Sequence, residues 1–190
     1  MAIFAVPAGA QGVDGLDPFG GFSRTAPPEE LTAQATASHT QVKPGQEFTV
    51  AIELSVAENW VFYSPDANPQ PGPKVIPARA VVETSDGLIA GEVLWPPDRL
   101  KVSGEGDYRE AHNAYSDRAV LYVPVRVAED AEPAPAEVRV TVTGQVCEDD
   151  GQCKDASVDP VAEVEIGQSA AANASWTDDL ASGIAAAVPA

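Results

Sequence analysis

Cysteine, histidine and basic residues are all scarce in this 190-residue chain, which holds two Cys, two His and 11 Lys plus Arg against 29 Asp plus Glu. Each scarcity closes off a class of function. The net charge of −18 makes nucleic acid and anionic membrane surfaces poor partners, and its simplest consequence is solubility. No apolar run is long enough to cross a membrane as a helix, so membrane association is expected only through a missing or separate transmembrane portion. His39 and His112 stand with the two cysteines at a spacing that matches no standard zinc or copper site. Glu148-Asp-Asp-Gly151 lacks the ligand spacing of a calcium loop, so no metal and no other cofactor is expected. The sequence holds no recognisable nucleophile–base triad and no phosphate loop.

What the chain does have is alternation with a period of two. From Gln46 to Val56, Phe48, Val50, Ile52, Leu54 and Val56 share one face, with Thr49, Glu53 and Ser55 on the other, the pattern of a strand with one wet side. Trp60-Val-Phe-Tyr63, Ala78 to Thr84, Leu88 to Trp95, Ala119 to Val127, Val138 to Thr143 and Ala162 to Ile166 are further strand candidates. Pro124, on the polar face of its run, predicts an edge or a bulge. Five prolines between Pro65 and Pro77 predict a long ordered loop. Asp98 to Ser116 is polar and without period, so it reads as a second long loop, and Glu129 to Glu137 reads as a Pro/Ala linker. Seven to nine short strands with no convincing internal helix define an all-β chain, an immunoglobulin-like antiparallel β-sandwich with a long capping loop.

The ends read differently. Ile3 to Val6 running into Ala8-Gly9-Ala10 has the look of a trimmed secretory signal, and the glycines and prolines up to residue 30 predict a flexible leader. Residues 31–167 are then the domain, and 168–190 an Ala-rich linker or tail with a short helix around Trp176 to Ala187. A lone cysteine pair suits an oxidising compartment, although two cysteines alone do not fix one.

Those cysteines flank a hairpin tip. Asp149-Asp150-Gly151 reads as a three-residue loop with Gly in the left-handed conformation, which sets Glu148 against Gln152 and Cys147 against Cys153. Opposed strand residues lie close enough for a disulfide that needs no backbone movement. The bridge is either a static cross-strand staple or a reversible redox pair, and the spacing leaves both open. Glu148, Asp149, Asp150 and Asp155 disfavour a neighbouring thiolate, so neither cysteine reads as an activated free nucleophile. Lys154 is the one nearby cation and is expected to offset this in favour of Cys153.

With strands and hairpin in place, the chain resembles the periplasmic N-terminal domain of DsbD-type thiol:disulfide interchange proteins. The residues that carry the likeness are Val142-Thr-Gly-Gln-Val-Cys-Glu-Asp-Asp-Gly-Gln-Cys153, Tyr115-Ser-Asp-Arg118 leading into Leu121-Tyr-Val-Pro-Val125, and Trp60-Val-Phe-Tyr63, within residues 31–167. Lys154-Asp155 stands where the family often has a proline, and the 98–116 stretch is long. The resemblance implies a protein-disulfide reductase domain in which Cys147 and Cys153 are the catalytic pair. Electrons pass from a membrane-linked thioredoxin-like donor to oxidised periplasmic proteins, with thioredoxin-fold partners and a monomeric domain in the periplasm. It further implies that Cys153 forms the mixed disulfide, that Cys147 resolves it and that the 98–116 stretch shields the pair. Tyr63, Tyr108 and Tyr115 are candidates to line the site, with ordinary sandwich packing as the alternative for each. The competing function is a non-catalytic immunoglobulin-like binding module with a structural disulfide. A reduction potential below about −300 mV would mark that case.

Overall fold

Alternation at every second position places apolar side chains on one side of a strand, and two such strands or sheets must cover each other. A computed structural model describes residues 30–70, 74–103, 110–148 and 151–189, and in it two sheets pack face to face as an immunoglobulin-like sandwich. One sheet runs β1 (Leu31–Ala37), β3 (Glu47–Val56), β10 (Arg118–Val127), β7 (Leu94–Trp95) and β15 (Val188–Pro189), with β6 (Leu88–Ala90) also on β10. The other runs β14 (Ala171–Ala172), β2 (His39–Val42), β13 (Val161–Ile166), β11 (Ala134–Glu148), β4 (Trp60–Tyr63), β9 (Glu110–Tyr115) and β8 (Arg99–Ser103). Two more strands, β5 (Arg79–Thr84) and β12 (Cys153–Val158), pair with β11. The chain changes sheets at Ser38, and β2 then lies parallel to β13, the one parallel pair among the described residues.

The core lies between the inner faces. Phe48, Val50, Ile52 and Leu54 of β3 and Leu121, Val123 and Val125 of β10 meet Val138, Val140, Val142 and Val146 of β11, all of them buried. The backbone of the site is a single long hairpin. Ala134 pairs with Ile166, Arg139 with Val161, Val142 with Val158 and Cys147 with Cys153, so one register holds from end to end across Asp159-Pro160. Gly144 therefore does not shift the phase by a bulge. Its role is clearance: a Cβ there would stand 2.7 Å from Phe62 Cε2 and 3.1 Å from Ala78 Cα.

Several stretches differ from their sequence reading. The 129–137 linker is strand from Ala134 onward, and Pro135 is accommodated because β11 is paired there on one side only, by β13. Pro124 lies in an inner strand. The irregularity is opposite it, where one extra residue separates β6 from β7 and Gly91 N–H donates to the Pro124 carbonyl at 2.7 Å. The described parts of 98–116 are a paired hairpin, β8 with β9, rather than an aperiodic loop. Residues 104–109 lie outside the described residues. Leu100 and Val102 remain 56% and 48% exposed, which explains why no buried face was legible there.

Residues 168–189 are tied to the sandwich rather than trailing. The helix α1 (Asp178–Gly183), capped by the Thr177 hydroxyl accepting from Leu180 N–H, sets Leu180 on Ala51, Val120 and Tyr122. Those three lie on the outward face of their sheet, so the C-terminal segment covers a face that alternation alone reads as wet. Arg118 fixes it, bonding Glu53 through Nε at 2.8 Å and Asp179 through Nη1 at 2.9 Å. No helix among the described residues is long and apolar enough to cross a membrane.

The Gly144 clearance can be tested. Gly144→Ala should lower unfolding free energy by about 1–3 kcal/mol in urea titrations, because Phe62 is fully buried and cannot swing clear, whereas Thr143→Ala, on the outer face, should stay within about 0.5 kcal/mol.

Candidate functional site

Register decides where the two sulfurs go. Glu148 N–H donates to the Gln152 carbonyl at 2.8 Å, so 148 and 152 form a hydrogen-bonded pair. The alternation of the antiparallel ladder then makes Cys147 and Cys153 a non-hydrogen-bonded pair, the kind whose side chains approach most closely. They form a disulfide, with Cα atoms 4.1 Å apart. Gly151 N–H donates to the Glu148 carbonyl at 3.0 Å, and Gly151 has φ +97°, which glycine tolerates without strain. Asp149 and Asp150 lie outside the described residues.

Cys147 shares its face with Thr141, Thr143 and Gln145, the side of β11 turned away from the core, yet it is only 3% exposed. Its cover comes from elsewhere in the chain. Val61 and Tyr63 of β4, Ala114 of β9 and Ala67 pack with it, joined by Val75. Ala67 and Val75 belong to the proline-rich 64–78 loop, the long loop that lies against Cys147 within the described residues. The Asn68 carboxamide closes that loop, donating to the Val75 carbonyl and accepting from Val75 N–H at 3.0 Å each. Asn113 anchors it, with its N–H on the Ala67 carbonyl and its side-chain Nδ2 on the Asp66 carbonyl, both at 3.1 Å. Cys153, at the start of β12, is exposed. One residue of the bridge is therefore buried in an apolar cluster and the other is exposed.

The local charge is acidic, with Glu148 beside Cys147 and exposed Asp155 two residues from Cys153 on the same face. Lys154 does not offset it as the sequence reading expected. Adjacent strand residues point to opposite faces, so Lys154 is turned away from the Cys153 sulfur. Its ammonium pairs with the Glu30 carboxylate and lies 4.9 Å from the centroid of the Trp60 ring. That hydrogen bond holds the Glu30 carboxyl below its ordinary range.

The tyrosines divide. Tyr63 is 8% exposed within the Cys147 cluster, its ring edge-on to His112 with centroids 5.5 Å apart. Burial first and the Glu110 charge second push its hydroxyl up. Tyr115 is not at the cysteines. It faces the core, stacks on Trp95 at 6.3 Å and donates to the Pro96 carbonyl at 3.1 Å, with burial pushing its hydroxyl far up. Tyr108 lies outside the described residues. His112 is buried at 6% exposure, with Nδ1 3.3 Å from the Ala67 carbonyl and Nε2 3.6 Å from Glu110 Oε2. Among the described residues no group of His, Cys, Asp or Glu is placed to hold a metal ion.

Sequence reasoning missed Val61, Ala67, Val75 and Ala114. A signal existed for Val61, since a run of four apolar residues at 60–63 cannot serve one face only.

Fold and cysteine pair together define the class: an immunoglobulin-like domain with a disulfide across the tip of its long hairpin. The chain belongs to the family described as thiol:disulfide interchange protein DsbD, N-terminal, whose model matches residues 28–162. Among solved structures it is similar to the N-terminal periplasmic domain of ScsB from Proteus mirabilis, at 14% identity and a TM-score of 0.49. That match covers 84% of this chain and 55% of that one. It is also similar to the reduced N-terminal domain of DsbD from Neisseria meningitidis, at 20% identity and a TM-score of 0.37 over 74% and 88% of the two chains. A third likeness is to a cohesin–dockerin complex of Clostridium thermocellum, at 14% identity and a TM-score of 0.39 over 72% and 99%. No curated protein matches the sequence.

The loop clamp gives a prediction. In the reduced protein, Asn68→Ala should speed alkylation of Cys147 several-fold by freeing the two bonds that Asn68 makes across the 64–78 loop, while alkylation of exposed Cys153 stays unchanged. Site-resolved mass spectrometry of iodoacetamide adducts measures both. Reduction itself should leave the domain folded, since a bridge across so short a loop contributes only about 2 kcal/mol. An unfolded circular dichroism spectrum for the reduced protein would contradict this.

Proposed function

We infer that this domain performs thiol:disulfide interchange in the periplasm through Cys147 and Cys153, as a protein-disulfide reductase domain. It takes electrons from a membrane-linked thioredoxin-like donor and passes them to oxidised proteins. The observation that carries the reading is the unequal burial of the two cysteines, with Cys147 at 3% exposure and Cys153 exposed. A staple gains nothing from that inequality, whereas exchange through a mixed disulfide needs one sulfur to meet the partner and one to wait.

The chemistry follows from electrons and protons. In the reduced domain the Cys153 thiolate attacks one sulfur of the acceptor disulfide, and the other acceptor sulfur leaves as a thiolate. The Cys147 thiol then loses its proton and attacks Cys153, the acceptor cysteine leaves with the electron pair, and the Cys147–Cys153 bridge is restored. A dithiol donor runs the same steps in reverse to reduce the bridge. Because Glu148 and Asp155 disfavour a thiolate and Lys154 is held by Glu30 on the other face, the free domain is a slow nucleophile. Docking that excludes water and brings positive charge accelerates it, which limits exchange with chance thiols in an oxidising compartment.

Two measurements test this. The reduction potential should lie above about −300 mV, and a lower value would assign the bridge a structural role. Mixed with an oxidised thioredoxin-fold protein, reduced Cys147→Ser should accumulate a mixed disulfide through Cys153, while reduced Cys153→Ser should accumulate little. Equal trapping by both variants would reverse the roles of the two sulfurs.

A further inference from the structure

The 64–78 loop covers Cys147 through two side chains, Ala67 and Val75, and Ala67 is fully buried at 0% exposure. The main chain of Ala67 is where that loop is pinned. Its N–H donates to the Ser64 carbonyl at 3.1 Å, and its carbonyl accepts from Asn113 N–H at 3.1 Å. Both bonds join main chain to main chain. The third bond to this residue comes from a side chain, because His112 Nδ1 lies 3.3 Å from the same carbonyl. His112 stands two residues before Ala114 on β9 and thus on the same outer face, so its ring sits beside the apolar cover, edge-on to Tyr63.

A histidine at this place is not what packing alone would select. A carbonyl oxygen only accepts, so Nδ1 is the nitrogen that bears the proton. In the neutral ring Nε2 is then left buried with no hydrogen-bond partner among the described residues, 3.6 Å from Oε2 of the Glu110 carboxylate, which is likewise an acceptor. An unsatisfied buried acceptor opposes folding, and a leucine would fill the same apolar space without one. What leucine would not supply is the bond to Ala67.

We propose that His112 is a positioning residue for the exchange reaction: its Nδ1–H holds Ala67 over Cys147 and thereby sets how fast the Cys147 sulfur takes on or gives up charge. This rests on the interchange reading given above. When a thiolate attacks Cys153, the bond between Cys153 and Cys147 breaks, and Cys147 leaves with the electron pair and then takes up a proton. In the return step the Cys147 thiol loses that proton and its sulfur attacks Cys153, displacing the bound partner as a thiolate. Both transition states place negative charge on Cys147, and a dry apolar cover disfavours charge in each. Reaction therefore waits for the cover to open, and its rate follows the fraction of time that Ala67 is displaced. The thiol and the disulfide are themselves uncharged, so the cover governs the rate in both directions and not the equilibrium between them.

Two variants separate the bond from the bulk. His112→Leu keeps an apolar filling and loses the donor, and His112→Asn keeps an N–H near the place of Nδ1. With dithiothreitol as the probe, reduction of the bridge in His112→Leu should be about threefold to tenfold faster than in the wild type, the weight of one hydrogen bond. Re-formation of the bridge from the mixed disulfide of Cys153 with glutathione should accelerate by the same factor. The reduction potential should not move, and urea titration should find His112→Leu about as stable as the wild type. His112→Asn should restore slow reduction, and the nitrogen NMR spectrum of the wild-type ring should show the proton on Nδ1. Equal dithiothreitol rates for His112→Leu and the wild type would overturn the proposal, as would a ring protonated on Nε2 alone. A clear loss of stability in His112→Leu together with a shifted potential would mark a residue that only supports the fold, and would overturn it too. Thioredoxin tests the reading beneath: if reduced thioredoxin leaves the wild-type bridge intact while dithiothreitol reduces it, the interchange reading fails, and the hold of His112 on the cover is judged by the dithiothreitol rates alone.

Discussion

The register of one hairpin governs this molecule. A strand has two faces, and a slip of one residue exchanges them, so the pairing that runs unbroken from Ala134 opposite Ile166 to Cys147 opposite Cys153 decides two things at once. It sends Val138, Val140, Val142 and Val146 inward to the core, and it sends both cysteines outward to the same face. Gly144 sits where those demands meet, because the Phe62 ring that completes the core beneath the site occupies the space of its missing side chain. The core and the sulfur pair are therefore two readings of one alignment.

From that alignment alone the two sulfurs would be equally wet. What separates them is a second layer built on the outer face of the sheet, from Val61 and Tyr63, Ala114, and the loop carrying Ala67 and Val75. The layer reaches Cys147 on the central strand and stops short of Cys153 on the edge strand. Burying one thiol in apolar surroundings raises the cost of its charged form, while the other keeps access to water. Acidic neighbours and a lysine held by Glu30 leave the exposed sulfur without help of its own.

How much of this the sequence disclosed depends on whether a residue's neighbours are local. The strand runs of β3, β10 and β11 were legible because burial on one face imposes a period of two, and the hairpin tip was legible because Gly151 needs a left-handed backbone. The cover over Cys147 was not, since Ala67 and Val75 come from an irregular loop and Ala114 from a strand whose sequence carries no apolar period. The same holds for the C-terminal segment. Leu180 packs on Ala51 and Tyr122, positions whose parity reads as solvent-facing until the segment that covers them is known. Lys154 was misjudged for a related reason: adjacency in sequence was taken for proximity, whereas neighbours on a strand point apart.

The cover over Cys147 has one more consequence. The cysteines are six positions apart, but every group that buries the first comes from 30 to 90 residues earlier in the chain, at Val61, Ala67, Val75 and Ala114. Contacts of such long range close late, because the intervening chain must first be ordered. In the unfolded chain both thiols meet solvent alike, and nothing in the hairpin itself tells them apart. The distinction between a sulfur that meets partners and one that waits is thus acquired only when the sandwich is complete, which makes the ratio of their reactivities a gauge of folding.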